Sequence, residues 1–275
     1  FMFAQLDTKT VYSFMDSLID LEGYVKEAKV LGYQTIGIMD KDNLYAAFHF
    51  ITKAKSEGLR SVLGLELTLN LQENLSLSVY LIARDTTGYK NLMKVSSCQM
   101  TSGIQLEDLK DYLSGLVVII PYFDGLESLL LPFEYYIGVN VHSEEKDYDK
   151  PLIPLHTVRY FNTNEVETLH MLHAIRDNIS LKDAPAAPQG QQLMACDILT
   201  QAFEQKFPQA LENLEKLVAD IHYDFNSELK LPRFNRQKPA QEELIELTEA
   251  GLKAKNLWLP EYQERLRKEL SVIHK

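Results

Sequence analysis

The segment LGYQTIGIMDKDNLYAAFHFITKAKSEGLRSVLGLEL, residues 31–67, sets the pattern from which the fold is predicted. It contains two short runs rich in Ile, Val and Leu, residues 34–39 and 62–69, which are typical of strands covered on both faces. The run between them has apolar residues at helical spacing, and those expected to face the core are Leu44, Phe48 and Ile51. Asp42 or Asn43 can cap this helix and Gly58 can end it. The order strand, helix, strand indicates an α/β unit.

The same alternation continues on both sides of this segment. Strands are predicted at 2–6, 34–39, 62–69, 77–83, 116–120, 135–141 and 152–155. A helix is predicted before Gly32, and another begins at Asn162, where Glu165 has capping-box spacing. Seven strands interleaved with helices predict a parallel α/β fold, a distorted (β/α)7 barrel of the TIM type. In such folds the chemistry lies at the carboxyl ends of the strands.

The pattern changes near residue 183. The segment DAPAAPQGQQ, residues 183–192, is predicted to be a linker or extended loop, and helices dominate after it. One of these helices has Pro208 in its first turn, and residues 227–235 are expected to be an extended connector. We therefore predict a barrel domain at 1–182 and a helical extension at 183–275.

Composition limits the function classes. The chain has 275 residues and a formal net charge of −11, whereas an autonomous nucleic-acid binder usually carries a basic stripe. No apolar run approaches the ~20 residues that span a bilayer. Cys98 and Cys196 have no metal-like spacing, so we expect two reduced thiols in a cytoplasmic protein.

Three strand ends, each followed by a helix start, carry a family resemblance. They are FAQLDTKTVYSFMDS (3–17), the quoted segment at 31–67, and LIARDTTGYKNLMKVSS (81–97). Their order resembles the PHP (polymerase and histidinol phosphatase) domain, in the form found at the amino terminus of bacterial C-family replicative polymerases, the DNA polymerase III alpha subunits. The later helices resemble the run that leads into the polymerase palm.

The resemblance implies a metal site at the strand ends, and the ligand positions carry over residue by residue. The positions that would correspond to family ligands are Asp7, Lys9, Asp40, Lys41, Glu66, Ser78, Tyr122, Thr157 and Arg159. Of these, Asp40 and Glu66 keep the ligand type that the family uses. Lys and Arg carry a positive charge and no acceptor lone pair, so they do not ligate a cation at neutral pH. Our hypothesis is that the site has become a metal-free ion-pair network.

Alternative metal sites stay open at this point. Asp7, Asp40 and Glu66 could hold Mg²⁺, Mn²⁺ or Zn²⁺ through oxygen, although the neighbouring lysines oppose it. His170 and His173 are three residues apart, a spacing that can bind zinc, but packed or surface histidines are favoured because no third ligand is near in sequence. His156 lies beside the degenerate site, and a structural role is favoured for it as well.

The resemblance implies that the parent protein is a DNA-directed DNA polymerase, a nucleotidyltransferase of chromosomal replication. The palm carboxylates that catalyse polymerisation are expected beyond Lys275, so this chain is expected to be catalytically inactive and to bear no cofactor. Its expected role is to support the polymerase by packing against the thumb and palm, with DNA reached only through the full-length enzyme and no membrane involved. The alternatives are a metal-dependent 3'–5' exonuclease or phosphoesterase for proofreading, and a docking module for a proofreading or other replisome subunit.

Overall fold

The computed structural model describes residues 2–72, 75–223, 234–235 and 237–273. The chain forms two compact units, Phe1–Asp224 and Phe225–Lys275. The predicted boundary after residue 182 lies inside the first unit, whose last helix packs on its last strand. The division into domains at that residue stays a prediction.

The strands of the first unit form one mixed sheet. In chain order they are β1 (Thr35–Lys41), β2 (Arg60–Gln72), β3 (Leu75–Ala83), β4 (Leu116–Pro121), β5 (Tyr136–Val139) and β6 (Leu152–Pro154). β1 and β2 are parallel, as are β4, β5 and β6, but β3 runs antiparallel to both of its neighbours. The prediction that all strands are parallel is therefore wrong for β3. Two residues lie between β2 and β3, whereas a parallel connection needs a crossover of a dozen or so.

The amino-terminal segment closes the curled sheet. Gln5 forms a single parallel bridge with Ile36 of β1, and Thr8 forms another with Val158, just after β6. The predicted strand at 2–6 is thus replaced by two isolated bridges that join the edge strands. A Cβ on Gly37 would lie 2.9 Å from the Leu6 carbonyl oxygen, so glycine permits this close approach. The expectation of a distorted TIM-like α/β barrel is confirmed.

Helices cover the outside of the sheet. In the first unit they are α1 (Leu21–Val30), α2 (Ala47–Ser56), α3 (Thr86–Thr101), α4 (Leu106–Leu109), α5 (Val166–Arg176), α6 (Cys196–Lys206) and α7 (Pro208–Asp220). The capping box of Asn162 and Glu165 is present, and Pro208 occupies the first turn of α7, as predicted. Gly32 has a φ of +86° after α1, which suits the predicted helix stop.

The inner face of α2 differs from the prediction. Ala47, Phe50 and Ala54 are buried, whereas Phe48 is exposed. Apolar residues lie on several faces of this helix, so periodicity alone does not select one. The alanines allow close packing against α1 and β2, and the ring of Phe50 stacks with that of Tyr24 at a centroid distance of 6.2 Å. The N-cap is Ala46 rather than Asp42 or Asn43.

The second unit contains α8 (Ala240–Ala254) and α9 (Pro260–Ile273), which pack against each other. The connector predicted at 227–235 falls almost entirely outside the described residues. The loop predicted at 183–192 has no helix and ends in a single bridge between Gln192 and Tyr160. Among the described residues, no helix combines the length and apolarity that crossing a membrane requires.

Candidate functional site

A fully buried lysine lies at the centre of the barrel mouth. The Nζ of Lys9 lies 2.7 Å from Asp7 Oδ1 and 2.6 Å from Glu66 Oε2, and it donates a 2.8 Å hydrogen bond to the carbonyl oxygen of Met39. An ammonium group has three protons to donate, and these three oxygens match that number. Lys9 is therefore surrounded by oxygens of the protein itself.

The two carboxylates around Lys9 have further partners. Asp7 Oδ2 accepts hydrogen bonds from Thr157 Oγ1 at 2.5 Å and from the Tyr80 hydroxyl at 3.1 Å. Glu66 Oε1 accepts one from Ser78 Oγ at 2.8 Å. The Lys9 ammonium also lies 4.4 Å from the centroid of the Tyr80 ring, within cation–π range.

The fold explains why these residues meet. Asp7 and Lys9 are two apart on the amino-terminal segment, so their side chains point to the same side. Glu66 lies in β2 and is the cross-strand partner of Tyr80 in β3, while Thr157 follows β6. These elements converge at the carboxyl end of β1, where Met39 supplies its carbonyl.

The charges of this network stabilise one another. Burial by itself lowers the pKa of Lys9, but the neighbouring Asp7, Tyr80 and Glu66 outweigh it and raise that pKa above its ordinary value. Burial likewise opposes the ionised form of Glu66, but Lys9 lowers the pKa of that carboxyl below its usual range. Burial raises the pKa of the Tyr80 hydroxyl, so Tyr80 stays protonated and can donate to Asp7. We conclude that Lys9 and Glu66 are both ionised at neutral pH.

Asp40 belongs to a separate set of hydrogen bonds. Its Oδ1 accepts from the Thr10 backbone N–H and from Ser13 Oγ, and its Oδ2 accepts from Thr10 Oγ1, each at 2.7 Å. Burial raises the pKa of Asp40 although these donors oppose the rise. The carboxylate thus anchors the loop at residues 10–17 to the end of β1.

Arg159 turns toward the same loop. Its Nε lies 3.1 Å from Asp16 Oδ2, and one terminal nitrogen donates to Gln191 Oε1 at 2.6 Å. Asp16 is also 3.0 Å from His173 Nε2 and 3.2 Å from a terminal nitrogen of Arg176. Arg159 therefore does not touch Asp7 or Glu66, although its charge acts on the pKa of Glu66 at longer range.

Besides Asp40 and Arg159, two more of the sequence-derived positions lie apart from the Lys9 network. The Lys41 side chain is exposed, and its backbone N–H donates to Ser13 Oγ. Tyr122 accepts a 2.7 Å hydrogen bond from Lys146, which also pairs with Glu127. The positions that the structure does bring together are Asp7, Lys9, Glu66, Ser78 and Thr157.

Several participants were not singled out from the sequence. Tyr80 lies two residues after Ser78 and shares its face of β3, so strand periodicity could have found it. Thr10 and Ser13 lie inside the motif at residues 3–17 that carried the resemblance. Asp16 offered no local signal, because its partners are more than 140 residues away in sequence.

The family model of the PHP domain matches residues 5–135. The match covers a little under half of the chain. Over 99% of its length the chain is 54% identical to the DNA polymerase III subunit alpha of Streptococcus pyogenes serotype M3, and it spans 26% of that protein. It is 25% identical to the DNA polymerase III subunit alpha of Aquifex aeolicus over 99% of this chain and 30% of that one. A solved amidohydrolase from Chromobacterium violaceum is 10% identical, with a TM-score of 0.41 over 69% of this chain and 87% of that one. The chain thus spans about a quarter of the length of the curated relatives it matches.

The residues at the barrel mouth do not fit the metals that the family resemblance implies. The Lys9 ammonium lies between Asp7 and Glu66, where a cation would have to bridge the two carboxylates. Asp40 already accepts three hydrogen bonds from Thr10 and Ser13. Among the described residues, no group of three or more His, Cys, Asp or Glu is placed to hold an ion.

The histidines also have other partners. His156 is buried, and its Nε2 lies 2.8 Å from the carbonyl oxygen of Gln192. Burial lowers the pKa of this imidazole. His170 Nε2 lies 3.2 Å from the carbonyl oxygen of Ala184, whereas His173 faces Asp16. These contacts favour structural roles for all three.

Proposed function

We propose that this chain is the PHP domain of a replicative DNA polymerase of the DNA polymerase III alpha type, and that it is a metal-free module which supports the polymerase. The observation that carries the metal-free part is the Lys9 ammonium, held between Asp7 and Glu66 at 2.7 and 2.6 Å. The identity of 54% over nearly the whole chain supports the assignment to this polymerase type.

The chemistry of the mouth argues against phosphoester hydrolysis. A metal-dependent phosphoesterase needs an ion to activate water and to stabilise charge on the phosphoryl oxygens. Lys9 has no lone pair to act as a base while it is protonated, and its ammonium is already paired with Asp7 and Glu66 and hydrogen-bonded to the Met39 carbonyl oxygen. The carboxylates of Asp7 and Glu66 are paired with Lys9 and accept hydrogen bonds from Thr157 and Ser78.

In this proposal the parent enzyme is a DNA-directed DNA polymerase in the cytoplasm. Its catalytic carboxylates belong to the palm, outside this chain, and DNA is reached only through the whole enzyme. The partners of the PHP domain are the thumb and palm of the same polypeptide. The ion-pair network keeps the barrel mouth in one shape without a bound metal.

A network of this kind need not raise stability compared with an apolar core. Burying charges costs free energy that their attraction must recover, so its value lies in fixing which groups meet. Asp7 and Lys9 lie on the amino-terminal segment and Glu66 lies in β2, while Thr157 after β6 and Ser78 in β3 donate hydrogen bonds to the two carboxylates. Loss of the central charge would therefore disturb several strand ends at once.

Metal analysis and a nuclease assay on the same samples test the proposal. The purified chain is incubated with Mn²⁺ or Zn²⁺, dialysed, and analysed for metal per chain, and it is then mixed with labelled single-stranded DNA. We expect substoichiometric metal and no degradation above that of an Asp7→Asn, Glu66→Gln double variant. One equivalent or more of retained metal, together with Mn²⁺-dependent degradation that the double variant lacks, would overturn it.

A further inference from the structure

A cluster of guanidinium and imidazole side chains surrounds the carboxylate of Asp16. Its members are Arg159, which follows β6, and His173 and Arg176 of α5, and we call it the Asp16 cluster. Asp16 Oδ2 lies 3.1 Å from both Nε and a terminal nitrogen of Arg159. Asp16 Oδ1 lies 3.0 Å from His173 Nε2 and 3.2 Å from a terminal nitrogen of Arg176. One carboxylate therefore faces two guanidinium groups and an imidazole.

Asp16 leaves one nitrogen of the cluster unsatisfied. The Nε2 of His173 is buried, and among the described residues it has no hydrogen-bond partner of suitable geometry, although Asp16 Oδ1 is close. Burial lowers the pKa of His173 and Asp16 opposes that fall, while Arg176 and Arg159 add to it. A buried nitrogen without a partner, beside two guanidinium groups, indicates that an oxyanion with more oxygens than a carboxylate fits the cluster better.

The donor types of the Asp16 cluster select a phosphate group. The planar guanidinium of arginine matches the spacing of phosphate oxygens and binds them with paired hydrogen bonds. In barrels of the TIM type, by analogy, phosphate sites often lie in the loops after the last strands, and Arg159 follows the last strand, β6. A phosphate presents more oxygens than a carboxylate, so one group can contact both arginines and His173. The formal net charge of −11 opposes a long polyanion.

Asp16 is held in a way that permits its displacement. Its side chain is 20% exposed and that of Arg176 is 32% exposed, so a dissolved anion can reach the cluster. The preceding residue, Met15, has a φ of 49°, in the left-handed region that is strained for a residue with a side chain. Asp40 binds the first half of the loop at residues 10–17 separately, so the loop stays attached when Asp16 leaves.

We propose that Arg159, His173 and Arg176 form a binding site for a dianionic phosphate group, free or as a terminal monoester, and that Asp16 is its internal competitor. The inference goes beyond the proposed function, because it uses none of the charges around Lys9. Phosphate binding displaces Asp16 and releases the end of the loop at residues 10–17, with no bond made or broken. His173 thereby has a role beyond its structural contact with Asp16.

Calorimetric titration of inorganic phosphate into the 275-residue chain tests the site. The measurement is made near pH 8, where the phosphate is dianionic, against chloride at matched ionic strength. We expect Asp16→Ala to bind phosphate about tenfold or more tightly than the unmodified chain, because the competing carboxylate is gone. Adding Arg176→Gln to Asp16→Ala should reverse most of that gain. Adding Arg84→Gln instead should not, because Arg84 is an exposed arginine of the same unit outside the cluster.

Amide hydrogen exchange gives a second readout on the unmodified chain. The Asp16 amide donates to the carbonyl oxygen of Ser13 at 3.0 Å, so its exchange reports release of this end of the loop. Saturating phosphate should speed that exchange several-fold relative to chloride at the same ionic strength, and Arg176→Gln should abolish the acceleration. The Thr10 amide, which Asp40 holds, should exchange at the same rate in both salts.

A short single-stranded oligonucleotide with either a 5′-phosphate or a 5′-hydroxyl separates the sources of the phosphate. Competition with inorganic phosphate by the 5′-phosphorylated form alone supports a terminal monoester, and competition by neither form supports free phosphate. Equal competition by both forms would assign the site to backbone diesters and overturn the proposal.

Two further results would also overturn it. One is an Asp16→Ala chain that binds phosphate no more tightly than the unmodified chain, with no phosphate effect on the Asp16 amide. The other is a gain in affinity that Arg176→Gln leaves intact, because the anion would then bind outside the cluster.

Discussion

Replacing Lys9 by methionine tests the ion-pair network directly. Lys9→Met keeps most of the side-chain volume but removes the ammonium from Asp7 and Glu66, which lie 2.7 and 2.6 Å from it. Asp7 is 1% exposed and the Glu66 side chain 13%, so neither carboxylate can recover hydration without opening the barrel. Removing one partner of a buried pair costs about 3–5 kcal/mol, whereas an exposed pair costs about 0–1 kcal/mol.

The assay is urea unfolding of the 275-residue chain at neutral pH, followed by circular dichroism. With a slope of about 1–3 kcal/mol per molar urea, the expected loss of free energy of unfolding moves the midpoint down by roughly 1 M or more. Lys41→Met is the matched control, because that lysine is exposed and outside the network. Its free energy of unfolding should change by about 0.5 kcal/mol or less.

A rescue variant separates lost charge from lost packing. Adding Asp7→Asn and Glu66→Gln to Lys9→Met removes the uncompensated carboxylates, so much of the lost stability should return. The reasoning is refuted if Lys9→Met unfolds within about 1 kcal/mol of the unmodified chain, or if the triple variant is no more stable than Lys9→Met alone.

Two further predictions concern the surroundings of the network. Asp40→Asn replaces one acceptor oxygen with a donor, so it should cost about 1–3 kcal/mol and speed hydrogen exchange at the Thr10 amide, while Glu22→Gln on the surface of α1 should leave that exchange rate unchanged. His156 is held neutral because burial lowers its pKa from the ordinary 6.5, so the stability it contributes is fully present above that pH and is lost as the pH falls from 6.5 toward the lowered value. The free energy of unfolding of His156→Gln, measured from about pH 7 to pH 5, should therefore fall less steeply than that of the unmodified chain, and parallel curves would contradict this.

Local structure followed from residues close together in sequence. The Asn162–Glu165 capping box and Pro208 at a helix start depend on groups a few residues apart, and both were predicted correctly. The predicted alternation of strands with helices holds only in part, because β3 follows β2 and β6 follows β5 with no helix between them. The predictions of the buried face of α2 and of the direction of β3 failed because the local sequence pattern is compatible with more than one arrangement. The apolar residues of α2 do not identify its inner face, and apolar runs do not encode the antiparallel direction of β3.

In the candidate site, too, the sequence predicted some features and only the tertiary structure decided others. The sequence, through its family resemblance, placed Asp7, Lys9 and Glu66 together and identified the residue types that reject a cation. The tertiary structure alone decided that Lys9 is the central charge and that Lys41 remains in solvent. It also paired Arg159 with Asp16, 143 residues away, instead of with the nearby carboxylates. Periodicity and capping act over a few residues of chain, whereas the partner of a buried charge depends on strand register, chain closure and burial, which exist only once distant segments have packed.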